Sequence, residues 1–157
     1  TYAAGLLFKN DDIRITGRLL FESLTISGVG IIAIRYLAGR QRPYYEKGEW
    51  AFEGFQSSNE FQSFPSGHTS VAFALSTVLA ERIDNFWARL GFYGMATLTA
   101  TARVINNQHF LSDVIWGALM GFGAGMYVIN KEEEIETEKS NISIQPFFNG
   151  VSIIYSF

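Results

Sequence analysis

The chain has no cysteine and only two histidines among its 157 residues. Without thiols, disulfide staples and thiolate metal sites are excluded, while the redox compartment is left unread. A basic excess is missing too. The formal net charge is −3, and the acidic surplus is concentrated in Glu132, Glu133, Glu134, Glu136 and Glu138, away from the arginine clusters. No field able to gather nucleic acid is present, so nucleic acid is not an expected partner. There is no internal repeat, no low-complexity segment and no signal-peptide pattern, and the sequence opens on Thr1; a processed or partial chain is expected. Long uncharged runs are scarce: residues 23–34, 68–80, 90–102 and 114–130. Only the last approaches the ~20 residues of a spanning helix. This places a compact extracytoplasmic, soluble or membrane-peripheral domain ahead of an integral one, although membrane contact is expected either way.

The residues present are 48% hydrophobic and 17% charged, apolar for a soluble domain and weak for an integral bundle, and the length suits one domain. Apolar residues recur at helical spacing over residues 11–40, with Asp11 and Asp12 at the start suiting a helix N-terminus, so one long helix ending before Pro43 is predicted. From Pro43 to Pro65 the periodicity fades into a polar loop, longer than most connections and of the kind that forms lids and binding loops. Its aromatics, Tyr44, Tyr45, Trp50, Phe52 and Phe55, suit either contact with a substrate or a small local core. Helical patterns resume over residues 67–83, 86–104 and 111–130. The last carries Gly117, Gly121 and Gly125 along one face, which lets a neighbouring helix approach closely. Residues 131–139 read as a solvated helix end or linker. Beyond them, apolar residues alternate around Asn149-Gly150, a strong hairpin signal. The expected architecture is all-α, with residues 1–139 a helical bundle and residues 140–157 a C-terminal β-hairpin packed on it.

Three clusters carry the chemistry: Arg35-x6-Arg42-Pro43, Pro65-Ser66-Gly67-His68, and Arg103-x5-His109-x3-Asp113. Arginine presents a planar fork of donors matched to phosphate oxygens, and histidine serves as nucleophile or proton donor near neutral pH. Ser66 stands where the loop meets a helix, a place where unpaired N–H groups and the helix dipole favour an anion. His109 and Asp113, four apart, are positioned to pair. Each cluster also has an ordinary reading: a capped helix start, a surface His/Asp pair, the basic last turn of a helix. Their conjunction favours the chemical reading, because four successive helix ends would bring them to one rim of an up-and-down bundle.

In residue type, order and spacing the clusters resemble the signature of the type 2 phosphatidic acid phosphatase superfamily, which includes bacterial acid phosphatases and vanadium haloperoxidases. The resemblance covers residues 35–113 and implies the family's helical bundle, with more helices than the four read here, so that either N-terminal helices are missing or the bundle is a reduced version. It implies His109 as the nucleophile forming a phosphohistidine, Asp113 holding it, and His68 as the acid that protonates the leaving oxygen and helps to activate water. Arg35, Arg42, Arg103, the Ser66 hydroxyl and the Gly67 N–H would bind the phosphoryl oxygens. No metal or other cofactor is implied, although vanadate is a phosphate analogue for such a site. The implied substrate is a phosphorylated lipid or a small phosphomonoester of a bacterial-type cell envelope. A haloperoxidase-like enzyme and a non-catalytic phosphate-binding module are the alternatives. Two positions depart from the family pattern: Arg35 stands for a lysine, with Arg40 a second candidate for that role, and Ala102 stands for a serine. Altered efficiency or substrate preference is expected from these changes, not inactivity.

Overall fold

The computed structural model describes the backbone of residues 11–147 and 150–155, and the side chains of residues 11–139. Four long helices dominate: α1 (Asp11–Ala38), α2 (Gly67–Ile83), α3 (Phe86–Ile105) and α4 (Leu111–Asn141). The central element is α2, which packs against the other three, while α1 also lies along α4 and α3 barely touches α4.

The first helix stops two residues earlier than its periodicity predicts, because Gly39 takes a left-handed conformation (φ +54°) and its N–H bonds the Arg35 carbonyl at 2.8 Å. Only glycine fits there, since a Cβ would overlap the Glu53 carbonyl. Asn85 starts α3 by accepting from the N–H groups of Trp87 (3.0 Å) and Ala88 (3.1 Å), as an N-cap should.

The three glycines of α4 face α2. A Cβ at Gly117 would run into the Ser66 carbonyl, at Gly121 into the Ser70 carbonyl, and at Gly125 into Thr77 Cβ at 2.7 Å. Backbone thus meets side-chain-free backbone, and the N-terminal ends of α2 and α4 lie side by side. Leu19, Val78, Val128 and Ile129 form a buried cluster further along α1, α2 and α4; full burial of such a side chain contributes roughly 1.5–3 kcal/mol.

The charged stretch after residue 130 is a largely exposed helix end, as expected, apart from Glu132. It continues α4 without a break, and Glu132 turns inward to pair with Arg18 of α1. Periodicity does not reveal this, because the partner lies in a distant helix.

Helices α1 and α4 are each long and apolar enough to cross a membrane, and Phe21, Ile32 and Leu98 are among many large apolar side chains left exposed. Beyond α4 the described backbone pairs residues 142–147 antiparallel with residues 150–155. Of the expected hairpin, Phe148, Asn149, Ser156 and Phe157 lie outside the described residues, as does the chain before Asp11.

Candidate functional site

The loop from Gly39 to Ser66 does more than connect α1 to α2. Its first residues form a short ribbon that pairs on both sides: Gln41 N–H donates to the Ala51 carbonyl (2.9 Å), Arg42 N–H to Glu60 (3.1 Å), and Ser63 N–H back to Arg40 (3.0 Å). This folds the loop over the rim where the helix ends meet. Tyr44, Tyr45, Trp50, Phe52 and Phe55 differ in what they touch, and all five are exposed. Phe52 packs on the Arg40 guanidinium and Phe55 edge-on to Tyr36, whereas Trp50 is 83% exposed.

At the rim, Arg35, Arg42, Gly67 and His68 line one end of a cavity of ≈ 550 Å³, whose walls continue as Ile31, Ile32, Val71 and Leu75. Arg35 Nε is fixed by the Pro65 carbonyl at 3.0 Å. Its guanidinium lies against Gly67, where a Cβ would stand 3.0 Å from Nη2. The glycine therefore makes room for the arginine itself, not only for a ligand. Arg42 is held by the Asn59 carbonyl (3.1 Å) and by Gln108 Oε1 (3.2 Å). Arg103 brings a buried Nε with no hydrogen-bond partner among the described residues, a spare donor beside the other cations.

Ser66 takes the N-cap position of α2, but its hydroxyl does not cap. It accepts from Thr69 Oγ1 at 3.0 Å, which leaves its own proton free to donate, and the residue is fully buried. Its N–H donates to the Asp113 carbonyl (2.9 Å), tying the starts of α2 and α4 together.

His109 and Asp113 approach each other as their spacing implies, but at 3.7 Å they do not hydrogen-bond directly. His109 precedes α4, so the rule that residues four apart share a helix face does not apply to it. Its Nδ1 lies 2.7 Å from the Ser63 carbonyl and 3.7 Å from Asp113 Oδ2, so the carbonyl makes the hydrogen bond. A carbonyl only accepts. Nδ1 therefore carries the proton, and in the neutral ring Nε2 keeps its lone pair for attack.

Asp113, fully buried, spends its oxygens elsewhere. Oδ1 accepts from Arg40 Nη1 (2.5 Å), and Oδ2 from the Ser63 hydroxyl (2.6 Å) and the Phe110 N–H (2.8 Å). The last contact is the reach-back arm of a helix cap. Arg40 is thereby settled in place: it is buried against Asp113, and Arg35 is the one of the two that lines the cavity. Ser63 and Gln108 were invisible to motif reading, since each acts through a contact made by the folded loop.

His68 is surrounded by positive charge. Burial first, and then the charges of Arg103, His109, Arg35 and Arg42, hold its pKa below the ordinary imidazole value. Residues of all three clusters therefore lie within electrostatic reach of His68. Among the described residues no group of three His, Asp or Glu side chains is placed to hold a metal ion.

Comparison with known proteins gives a consistent picture. Residues 16–134 match the family model described as the PAP2 superfamily. A lipid A 1-phosphatase of Rhizobium johnstonii is 32% identical over 110 residues, covering 69% of this chain and 43% of that protein. One of Porphyromonas gingivalis is 32% identical over 104 residues, covering 65% of this chain and 20% of the other. The chain thus spans less than half the length of these relatives. The crystal structure of Aquifex aeolicus LpxE superposes with a TM-score of 0.64 at 22% identity, covering 82% of this chain and 73% of that one, a likeness of fold.

Proposed function

The chain belongs to the PAP2 superfamily, and from that premise we propose that it is a metal-independent phosphatase acting on lipid phosphomonoesters through a phosphohistidine. The observation that carries the proposal is the cavity that is cationic at one end and apolar along its walls. A phosphate group fits the first and an acyl or prenyl chain the second. The names of the two lipid A 1-phosphatases support a lipid anchor on the substrate.

In the first step His109 Nε2 attacks phosphorus. The bond to the leaving oxygen breaks, and that oxygen takes a proton from His68. Arg35, Arg42 and Arg103, with the Ser66 hydroxyl and the Gly67 N–H, hold the equatorial oxygens, where transition-state charge is spread. The imidazolium formed on attack keeps Nδ1–H on the Ser63 carbonyl, and the Asp113 carboxylate at 3.7 Å stabilises its charge. Water then attacks the phosphohistidine, neutral His68 takes the water's proton, and the P–N bond breaks to release phosphate. Vanadate would occupy the same cradle as an analogue. The exposed apolar faces of the helices favour contact with a bilayer, and we place the protein in the cell envelope.

The test is phosphate release by the purified protein in detergent with chelator present, across long-chain lipid phosphates, a lipid A-type glycosyl phosphate and soluble phosphomonoesters. Higher kcat/KM on the lipid substrates is expected. A preference for the soluble esters would overturn the substrate class, and phosphate-analogue binding without any turnover would point to a binding module.

The field around His68 predicts a pH signature. A general acid must enter protonated, so kcat/KM falls as pH rises through the lowered pKa of the free enzyme. A bound phosphate dianion offsets the arginine charges and raises that pKa. The alkaline limb of kcat is therefore expected at higher pH than that of kcat/KM, and coincident limbs would exclude His68 as the acid.

We further assign residues 140–157 to a hairpin appended to the bundle. Truncation after Lys139 is expected to lower the melting temperature, and an unchanged value would show that the segment does not pack on it.

A further inference from the structure

We propose that Arg40 is a positioning residue that couples the seating of the aromatic loop to the aim of the His109 ring, an inference that rests on the phosphatase reading above. Its side chain is almost wholly buried, and every arm is committed. Nε and Nη2 donate to the Glu49 carbonyl at 3.0 and 2.6 Å, and Nη1 donates to Ser112 Oγ (2.7 Å) and Asp113 Oδ1 (2.5 Å). The guanidinium plane is further held by Phe52 of the loop (5.2 Å to the ring centroid) and Phe110 of the α4 entry (4.2 Å). One end of the fork thus reads the loop, and the other reads the start of α4.

The link to the nucleophile runs through two short steps. Asp113, anchored by Arg40, accepts from the Ser63 hydroxyl, and the carbonyl of that same Ser63 holds His109 Nδ1. The Arg40 main chain closes the circuit, because its carbonyl accepts from the Ser63 N–H at 3.0 Å. Ser63 is therefore fixed by Arg40 from two directions, and the imidazole is fixed by Ser63. A shift of the loop that moves Glu49 or Phe52 moves Arg40, and the tilt of the ring follows. Lysine cannot substitute for the fork, since an ammonium reaches the carboxylate or the carbonyl and offers no plane to stack.

The experiment compares wild type, Arg40→Lys, Phe52→Ala and the double variant. It measures kcat and KM on a long-chain lipid phosphate, the inhibition constant of inorganic phosphate, and the folded fraction by thermal melting. Positioning predicts that Arg40→Lys lowers kcat per folded molecule by about 10²-fold, the scale of a misplaced reacting group, with KM and phosphate inhibition unchanged. Phe52→Ala is expected to lower kcat in the same sense by less, and the two effects are expected to be non-additive, as for residues in one network. Weakened phosphate inhibition in Arg40→Lys would instead make Arg40 a phosphate ligand. Unchanged kcat per folded molecule would reduce it to a structural staple, and additive effects would uncouple the loop; each result overturns the inference. If Arg40→Lys does not fold, Phe52→Ala decides by the same split between kcat and KM. A wild-type protein without turnover sinks the phosphatase reading and this inference with it, whereas an active wild type with an indifferent Arg40 sinks the inference alone.

Discussion

Alanine in place of His109 is expected to lower phosphatase turnover by about 10⁴-fold or more, the scale seen when a nucleophile is removed and only the surrounding electrostatics remain. The chain has one other histidine, His68, which is assigned to the proton and not to phosphorus. The loss should separate cleanly from folding. Among the described residues the His109 side chain hydrogen-bonds the Ser63 carbonyl and otherwise only approaches Asp113, so the variant leaves a single buried acceptor unpaired, at a cost of about 1–3 kcal/mol. Vanadate or phosphate binding should survive, because Arg35 and Arg42 are held by the Pro65 carbonyl, the Asn59 carbonyl and Gln108, none of which touches the imidazole. Turnover retained at the wild-type level in a folded His109→Ala protein would remove the phosphohistidine from the mechanism.

The second large effect is on stability. Asp113→Ala is expected to cost about 3–5 kcal/mol, the range for breaking a buried ion pair by deleting one partner. Arg40 would keep its charge in a closed environment without its carboxylate, and the Ser63 hydroxyl and Phe110 N–H would lose their acceptor at the same time. The control is Asp11→Ala, which removes an exposed pair with Arg14 at 2.8 Å; such pairs contribute about 0–1 kcal/mol. Denaturation of both variants in the same detergent gives the comparison. Equal, small losses would mean that Asp113 is not the keystone of the α4 entry. Turnover should fall along with stability in Asp113→Ala, since Ser63 loses the anchor that fixes its carbonyl under His109.

Much of this was legible before any coordinates. The span of α2 is the one its pattern predicts, and α3 begins at Phe86 as expected, because Asp84-Asn85 carries a helix stop and a new cap in adjacent residues. The glycine face of α4 does what its spacing implies, with α2 as the partner. Errors cluster where local pattern and distant partner disagree. The end of α1 was placed too late because Gly39 is an ordinary-looking glycine until the Glu53 carbonyl is seen against it. In the otherwise exposed acidic stretch, the inward turn of Glu132 is illegible because nothing near it in sequence announces Arg18, more than a hundred residues away. At the site itself, the spacing of His109 and Asp113 presumed a helix that begins two residues later.

Residue types, order and spacing pointed to the proposed chemistry, because three arginines, two histidines and a carboxylate recur in three short clusters of a chain without thiols. The same information determined the helical bundle, since helix periodicity and caps are local properties of the chain. Which group touches which was decided by tertiary structure alone. Arg35 and Arg40 are five residues apart and chemically identical, yet one lines the cavity and the other is sealed against Asp113. The difference arises because α1 ends between them at Gly39, sending Arg35 into the groove against Gly67 and Arg40 into the folded loop. Burial and hydrogen-bond partners of that kind depend on segments brought together only when the chain folds.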